Sequence, residues 1–185
     1  MEIYVIRHSK VAIGKDICYG QSDVDLAADF HQTVVHYAKA LPNDFDAVFS
    51  SPLARCRVLA EALNYGAISF DNALMEMNFG DWELKKWNDI PSNDLQKWMN
   101  DFVEEKTPNG ESLAIVYERV KTFIESIKNK DYKKVLLVTH AGVIRCLWAY
   151  ILEIPLQNVF RIPVNYEEVF AFQIAQNFMQ IIRKQ

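Results

Sequence analysis

The stretch that most restricts the fold is the N-terminal run Ile3-Tyr4-Val5-Ile6, which stops abruptly at Arg7-His8. Four consecutive β-branched or aromatic residues are too few for a helix and leave no polar face. They predict a strand buried on both sides, as in a parallel sheet covered by helices. In such sheets ligands gather outside the carboxyl ends of the strands. A guanidinium beside an imidazole at that end suits an anion, because cations are seldom placed there without a partner. A lone Arg-His after a strand is more often a solvated turn. The balance shifts with a second apolar run, "KKVLLV" at 133–138, which ends in Thr139-His140-Ala141-Gly142. Two strands then deliver an imidazole to the same end of the sheet.

The rest of the chain alternates between the two periods. Residues 47–49 and 67–70 read as short strands. Residues 28–41 place Phe30, Val34, Tyr37, Ala38 and Leu41 at helical spacing and close on Pro42. Ser51 suits an N-cap with Pro52 at the first helical position. A long amphipathic helix is expected over 112–129 and a buried one over 142–152, with paired edge strands at 169–174 and 178–182. This alternation predicts an α/β protein: a three-layer α/β/α sandwich with a mainly parallel sheet and a C-terminal antiparallel edge hairpin. Residues 1–185 read as one domain. A helical insertion at about 79–103, with Ser92 as N-cap and Leu95, Trp98, Met99 and Phe102 on one face, is placed to cap the site.

Composition excludes several classes. The net charge of −4 argues against a nucleic-acid partner or an anionic membrane surface. No apolar run approaches the roughly 18 residues of a membrane span, and the first residues lack a signal-peptide pattern. A cytoplasmic location is therefore expected. Cys18, Cys56 and Cys146 are odd in number and far apart, which supports neither a disulfide framework nor a zinc site. His31 and His36 are five residues apart on one predicted helix, so they point about 140° apart and cannot share a metal. No metal and no cofactor are called for.

Three further features bear on chemistry. Arg55 falls near the start of a predicted helix, where the positive dipole end repels cations and suits phosphate; Arg57 faces away and reads as solvated. Glu76 lies among Leu74, Met75, Met77, Phe79 and Trp82, an apolar neighbourhood of the kind that keeps a carboxyl protonated and ready to act as an acid. The loop "CYGQSDVDLA" supplies Tyr19, Gln21 and Ser22 as candidate substrate contacts, and its alternative reading is turn chemistry alone.

Taken in order, "VIRHSKV", "SSPLARCRVLAEAL", "LMEMNFGDWE", "PNGES" and "VTHAGVIR" resemble the marks of the histidine phosphatase superfamily, the phosphoglycerate-mutase-like group. The resemblance runs from Tyr4 to Arg145. It implies His8 as nucleophile, Arg7, Arg55 and His140 as the phosphate pocket, and Glu76 as proton donor. Within the superfamily, the compact length and the "CYGQSDVDLA" loop look most like the bacterial α-ribazole phosphatase group, for which Tyr19, Phe79, Trp82 and Trp87 would offer an aromatic wall to a flat base. One departure stands out. The family usually follows its catalytic His with Gly, a polar residue, Thr or Ser, and then an Asn three residues later. This chain has Ser9, Lys10, Val11 and Gly14 instead, so Ser9, Gln21 or Ser22 would have to supply the missing donors.

The implied chemistry is metal-free phosphomonoester hydrolysis. Neutral His8 attacks phosphorus, two guanidiniums hold the equatorial oxygens with His140 as a third cationic donor if it is protonated, amides from the helix starting near Ala141 assist, and Glu76 protonates the leaving oxygen. The expected partner is a small phosphomonoester, and a homodimer is left open. The alternatives are a broad-specificity sugar or nucleotide phosphatase, a phosphoglycerate mutase and, least favoured, a non-catalytic phosphate-binding module.

Overall fold

The computed structural model describes residues 1–175 and 179–181. Its frame is a six-stranded sheet. Strand β1 is Glu2–Arg7, β2 Ala47–Ser50, β3 Ile68–Phe70, β4 Lys134–Thr139, β5 Val169–Ile174 and β6 Met179–Ile181. The spatial order is β3-β2-β4-β1-β5-β6. The first four in that order run parallel, whereas β5 pairs antiparallel with β1 and β6 with β5. Phe178 and Ile182, the outer ends of the last expected strand, lie outside the described residues.

Helices α1 (Phe30–Ala40), α2 (Ala54–Leu63), α3 (Ser92–Asn100), α4 (Leu113–Lys128) and α5 (Ala141–Leu152) connect the strands. Successive strand side chains point to opposite faces, and this sorts the apolar residues into two cores. Ile3, Val5, Val135 and Leu137 pack with Val116, Val120 and Ile124 of α4 and Ile144 and Leu147 of α5. Tyr4, Ile6, Val48, Leu136 and Val138 pack on the other side with Tyr37 of α1 and Leu59 and Leu63 of α2. An uninterrupted apolar strand with a helix layer on each face is therefore the three-layer α/β/α arrangement.

Register carries this frame to the functional residues. In the β1–β4 pair Glu2 lies opposite Lys134 and Arg7 opposite Thr139, so His8 and His140 each follow the last paired residue. The His8 amide still donates to the Thr139 carbonyl at 2.9 Å. On the other side of β4, Ser50 pairs with Val138 and the Ser51 amide donates to the Val138 carbonyl.

Helix starts differ from the sequence reading at two places. α2 begins at Ala54 with Leu53 as its cap, not at Ser51-Pro52. The Ser51 hydroxyl does accept the Leu53 amide at 3.3 Å, but it also lies 2.8 Å from His140 Nε2, so the site engages the side chain expected to start the helix. α3 is capped by Pro91, with Ser92 already helical, and it ends at Asn100. Smaller shifts place the start of α1 at Phe30 and that of α5 at Ala141, with His140 as the α5 cap.

Candidate active site

Beyond the carboxyl ends of β1, β2 and β4 is a cavity of about 280 Å³ whose wall includes Arg7, His8, Arg55 and Glu76. That size is near the lower limit for small-molecule sites. His8 is buried, and its Nδ1 lies 2.7 Å from the Ser9 carbonyl. A carbonyl can only accept, so Nδ1 carries the proton and Nε2 keeps its lone pair. Burial, then the charges of Arg55 and Arg7, hold the His8 pKa well below the usual histidine range, although the bond to Ser9 works the other way.

His140 stands beside it, with ring centres 5.0 Å apart. It is fully buried, and its Nε2 has Ser51 Oγ at 2.8 Å and Cys56 Sγ at 3.4 Å. Burial, with His8 and Arg55 close by, holds this imidazole well below the usual range as well. The cationic role that His140 would have if protonated is thus not favoured, and the imidazole is neutral.

Each guanidinium is anchored through backbone carbonyls and without a carboxylate. Arg7 donates to the Val164 carbonyl at 3.0 Å and stacks 3.8 Å from the ring centre of Tyr166. Arg55 donates to the Ser22 carbonyl at 3.0 Å and to that of Gly20, and the Tyr19 ring lies 5.4 Å from its carbon. Neither has an ion pair among the described residues. Arg7 Nε, Arg55 Nε and Ser9 Oγ are buried without a hydrogen-bond partner, and buried donors of this kind call for an explanation.

Glu76 also lines the cavity. Its carboxylate accepts the amides of Met77 at 3.0 Å and Gly142 at 3.1 Å, so its surroundings are more polar than the flanking sequence suggested. A Cβ on Gly142 would fall 2.2 Å from Glu76 Oε1, so any larger residue there would push the Glu76 carboxylate from its place. Thr139 Oγ1 donates to the Leu74 carbonyl at 2.7 Å and ties the end of β4 to the segment carrying Glu76.

The secondary candidates fare unevenly. Tyr19 lines the cavity. Gln21 turns away and donates to the Glu76 carbonyl at 3.0 Å. Ser22 has its carbonyl on Arg55 and both its amide and its hydroxyl on Glu83. Ser9 lies behind His8, and Ala141, buried at the start of α5, leaves the wall to Gly142. Trp82 is a correction: it is buried with Cys18 and Ile90 in a separate cluster, and Phe79, Trp87 and Trp98 reach the cavity from the same segment. Those rings are part of the wall from the 79–103 segment.

Sequence reasoning missed three features. Tyr166, ahead of β5, lies edge-on to His8 at 5.7 Å and under Arg7. Arg119 of α4 donates to the carbonyls of Ala73, Met75 and Glu76 at 2.7, 2.7 and 3.0 Å and holds Glu111 through two bonds, with Glu111 in turn accepting the Asn78 amide. Glu83 accepts the amides of Gly20, Gln21, Ser22 and Phe79. The signal for Arg119 was a charge flanking the apolar stripe of α4. Nothing local pointed to Tyr166 or Glu83.

Known proteins share this arrangement of sequence and fold. The family model for the histidine phosphatase superfamily (branch 1) matches residues 3–184. The adenosylcobalamin/alpha-ribazole phosphatase of Escherichia coli K12 is 27% identical over 187 residues, covering 96% of this chain and 92% of that protein. A Hydrogenobacter thermophilus protein with the provisional name phosphoserine phosphatase 2 is 28% identical over 171 residues, covering 88% and 84%. The crystal structure of the alpha-ribazole phosphatase from Shigella flexneri superposes with a TM-score of 0.90 at 26% identity, covering 98% of this chain and 95% of that one.

Proposed function

The chain belongs to branch 1 of the histidine phosphatase superfamily and is a phosphatase, and from that premise we propose that it hydrolyses a small phosphomonoester through a phosphohistidine on His8. The observation that carries this reading is the convergence of Arg7, His8, Arg55 and Glu76 on one cavity. An oxyanion in the cavity would give partners to the two orphaned guanidinium donors Arg7 Nε and Arg55 Nε, whereas Ser9 is not on the cavity wall.

The steps follow from proton placement. His8 stays neutral at physiological pH, and its free Nε2 attacks phosphorus in line while Arg7 and Arg55 hold the equatorial oxygens. As the P–O bond breaks, the proton on Glu76 passes to the departing oxygen. A water then attacks the phosphohistidine, Glu76 takes its proton, and the P–N bond breaks to release inorganic phosphate. His140 is fully buried against Ser51 and Cys56 and is not on the cavity wall, so the positive charge facing the phosphoryl group comes from the arginines.

For the substrate, the rings of Tyr19, Phe79, Trp87 and Trp98 on the wall suit a leaving group with a flat face. α-Ribazole 5′-phosphate, in the assembly of the cobalamin nucleotide loop, is the instance that the E. coli and S. flexneri relatives suggest. The 79–103 segment serves as the cap over that group. A second reading rests on Lys15 and Arg145, cations on the same wall that favour a substrate bearing a carboxylate, such as phosphoserine. The three buried, unpaired cysteines fit a reducing compartment and support a cytoplasmic setting.

A phosphate-release screen over α-ribazole 5′-phosphate, phosphoserine, phosphoglycerates, nucleotides and sugar phosphates decides among these. A preference of tenfold or more for the ribazole ester, on the order of one good aromatic contact plus fit, is the expected outcome. Preference for phosphoserine would select the second reading, and phosphoryl transfer to a glycerate acceptor rather than to water would make the protein a mutase. Absence of phosphate release from every ester would overturn the proposal.

A further inference from the structure

Glu83 lies outside the reacting set, yet its carboxylate gathers four backbone amides. Those of Gly20, Gln21, Ser22 and Phe79 lie 2.9, 2.8, 3.0 and 3.1 Å from its oxygens. A carboxylate offers about four lone-pair sites, and these amides engage both of its oxygens. Burial raises its pKa, but the amides together with the Ser22 hydroxyl outweigh burial and hold the carboxyl below the usual glutamate range. The segment it grips faces the phosphate side. The carbonyls of Gly20 and Ser22 accept the Arg55 guanidinium, and the Gln21 side chain donates to the carbonyl of Glu76. No side chain can replace the Gly20 hydrogen here, since a Cβ would lie 1.9 Å from the Met77 carbonyl and 2.8 Å from Glu83 Oε1.

We propose that Glu83 is the positioning residue for Arg55: by fixing the Gly20–Ser22 backbone it sets the two carbonyls that aim the guanidinium at the phosphoryl group. An arginine without a carboxylate partner would otherwise be free to turn toward any acceptor. Using backbone carbonyls as anchors fixes its direction and leaves its charge for the ligand. The inference rests on the reading of Arg55 as a phosphate-binding group, so the experiment separates the two.

The affinity of orthovanadate, a phosphate mimic, is measured by calorimetry for the wild-type protein, Arg55→Lys, Glu83→Gln and the double variant, alongside kcat and KM. Arg55→Lys is expected to weaken vanadate about 10- to 100-fold, as for loss of one or two charge-assisted hydrogen bonds. Glu83→Gln is expected to weaken it about tenfold, with little further loss when added to Arg55→Lys. A merely structural role would lower the melting temperature and give losses that multiply in the double variant, and that result overturns the proposal. Unchanged affinity in Glu83→Gln overturns it also, with the Arg55 reading intact. Unchanged affinity in Arg55→Lys would remove the reading itself. Should Glu83→Gln fail to fold, Glu83→Asp keeps the charge and withdraws the oxygens by about one bond, 1.5 Å. A folded Glu83→Asp protein that binds vanadate like wild type would equally refute the proposal.

Discussion

Two neutral imidazoles buried side by side make stability depend on pH in a window where few other groups act. His8 and His140 are each held well below the usual histidine value, chiefly by burial. In the unfolded chain they titrate near pH 6.5. Between that value and their folded pKa the unfolded state binds more protons, so stability rises with pH across the window and is lost on acidification. Each histidine that stays neutral in the folded state costs up to about 1.4 kcal/mol for each pH unit below 6.5. From pH 7.5 to 5.5 the pair should therefore lower the unfolding free energy by about 2–3 kcal/mol. The depressed carboxylates Glu83, Asp44 and Asp46 act in the same direction, but their stabilisation is lost only as pH falls below the unfolded carboxyl range, about 4. Urea unfolding at half-unit intervals measures the slope, and His8→Asn and His140→Asn should each remove about half of it. A stability that does not change across the window, or a slope that survives in both variants, would refute the assignment of buried neutral imidazoles.

Gly142→Ala should lower kcat by at least about tenfold with a small change in melting temperature, because the added methyl meets the Glu76 carboxylate and costs its amide bond; steady-state kinetics checks it. Glu111→Gln leaves Arg119 without its carboxylate under the Ala73–Glu76 carbonyls. The pair is partly shielded, at 18% side-chain exposure on each side, so a loss of about 1–3 kcal/mol in urea unfolding is expected. Glu76→Gln should still form phosphoenzyme but expel alkoxide slowly, so its rate deficit should be larger for alkyl than for aryl esters. Turnover should persist after dialysis against EDTA, and loss of rate restored by a divalent cation would count against arginine-based charge stabilisation.

Much of the frame was legible because each strand of the sheet's middle is an unbroken apolar run ending in a polar residue. Val5 and Ile6 or Leu137 and Val138 have no solvated face to accommodate a charge, so the chemistry appears where the run stops. The register that aligns His8 with His140 was not legible, since it is set by pairing across more than a hundred residues. The start of α2 was misplaced because its expected cap has a competing partner. Ser51 is a good cap by composition, but its hydroxyl lies against His140. Trp82 read as a wall residue alongside Phe79 and Trp87; packing keeps those two on the wall, adds Trp98 and buries Trp82 in a separate cluster. Glu83 and Arg119 escaped notice for a common reason. They act on backbone groups of distant segments, and backbone groups leave no trace in the identity of the residues that carry them.

The most direct test of the account is to quench the protein during turnover of a radiolabelled phosphomonoester and locate the label. The account predicts an alkali-stable, acid-labile phosphoenzyme with the phosphoryl group on the His8 imidazole, absent from His8→Ala and accumulating in Glu76→Gln. Label on another residue, or turnover of His8→Ala at the wild-type rate, would contradict it.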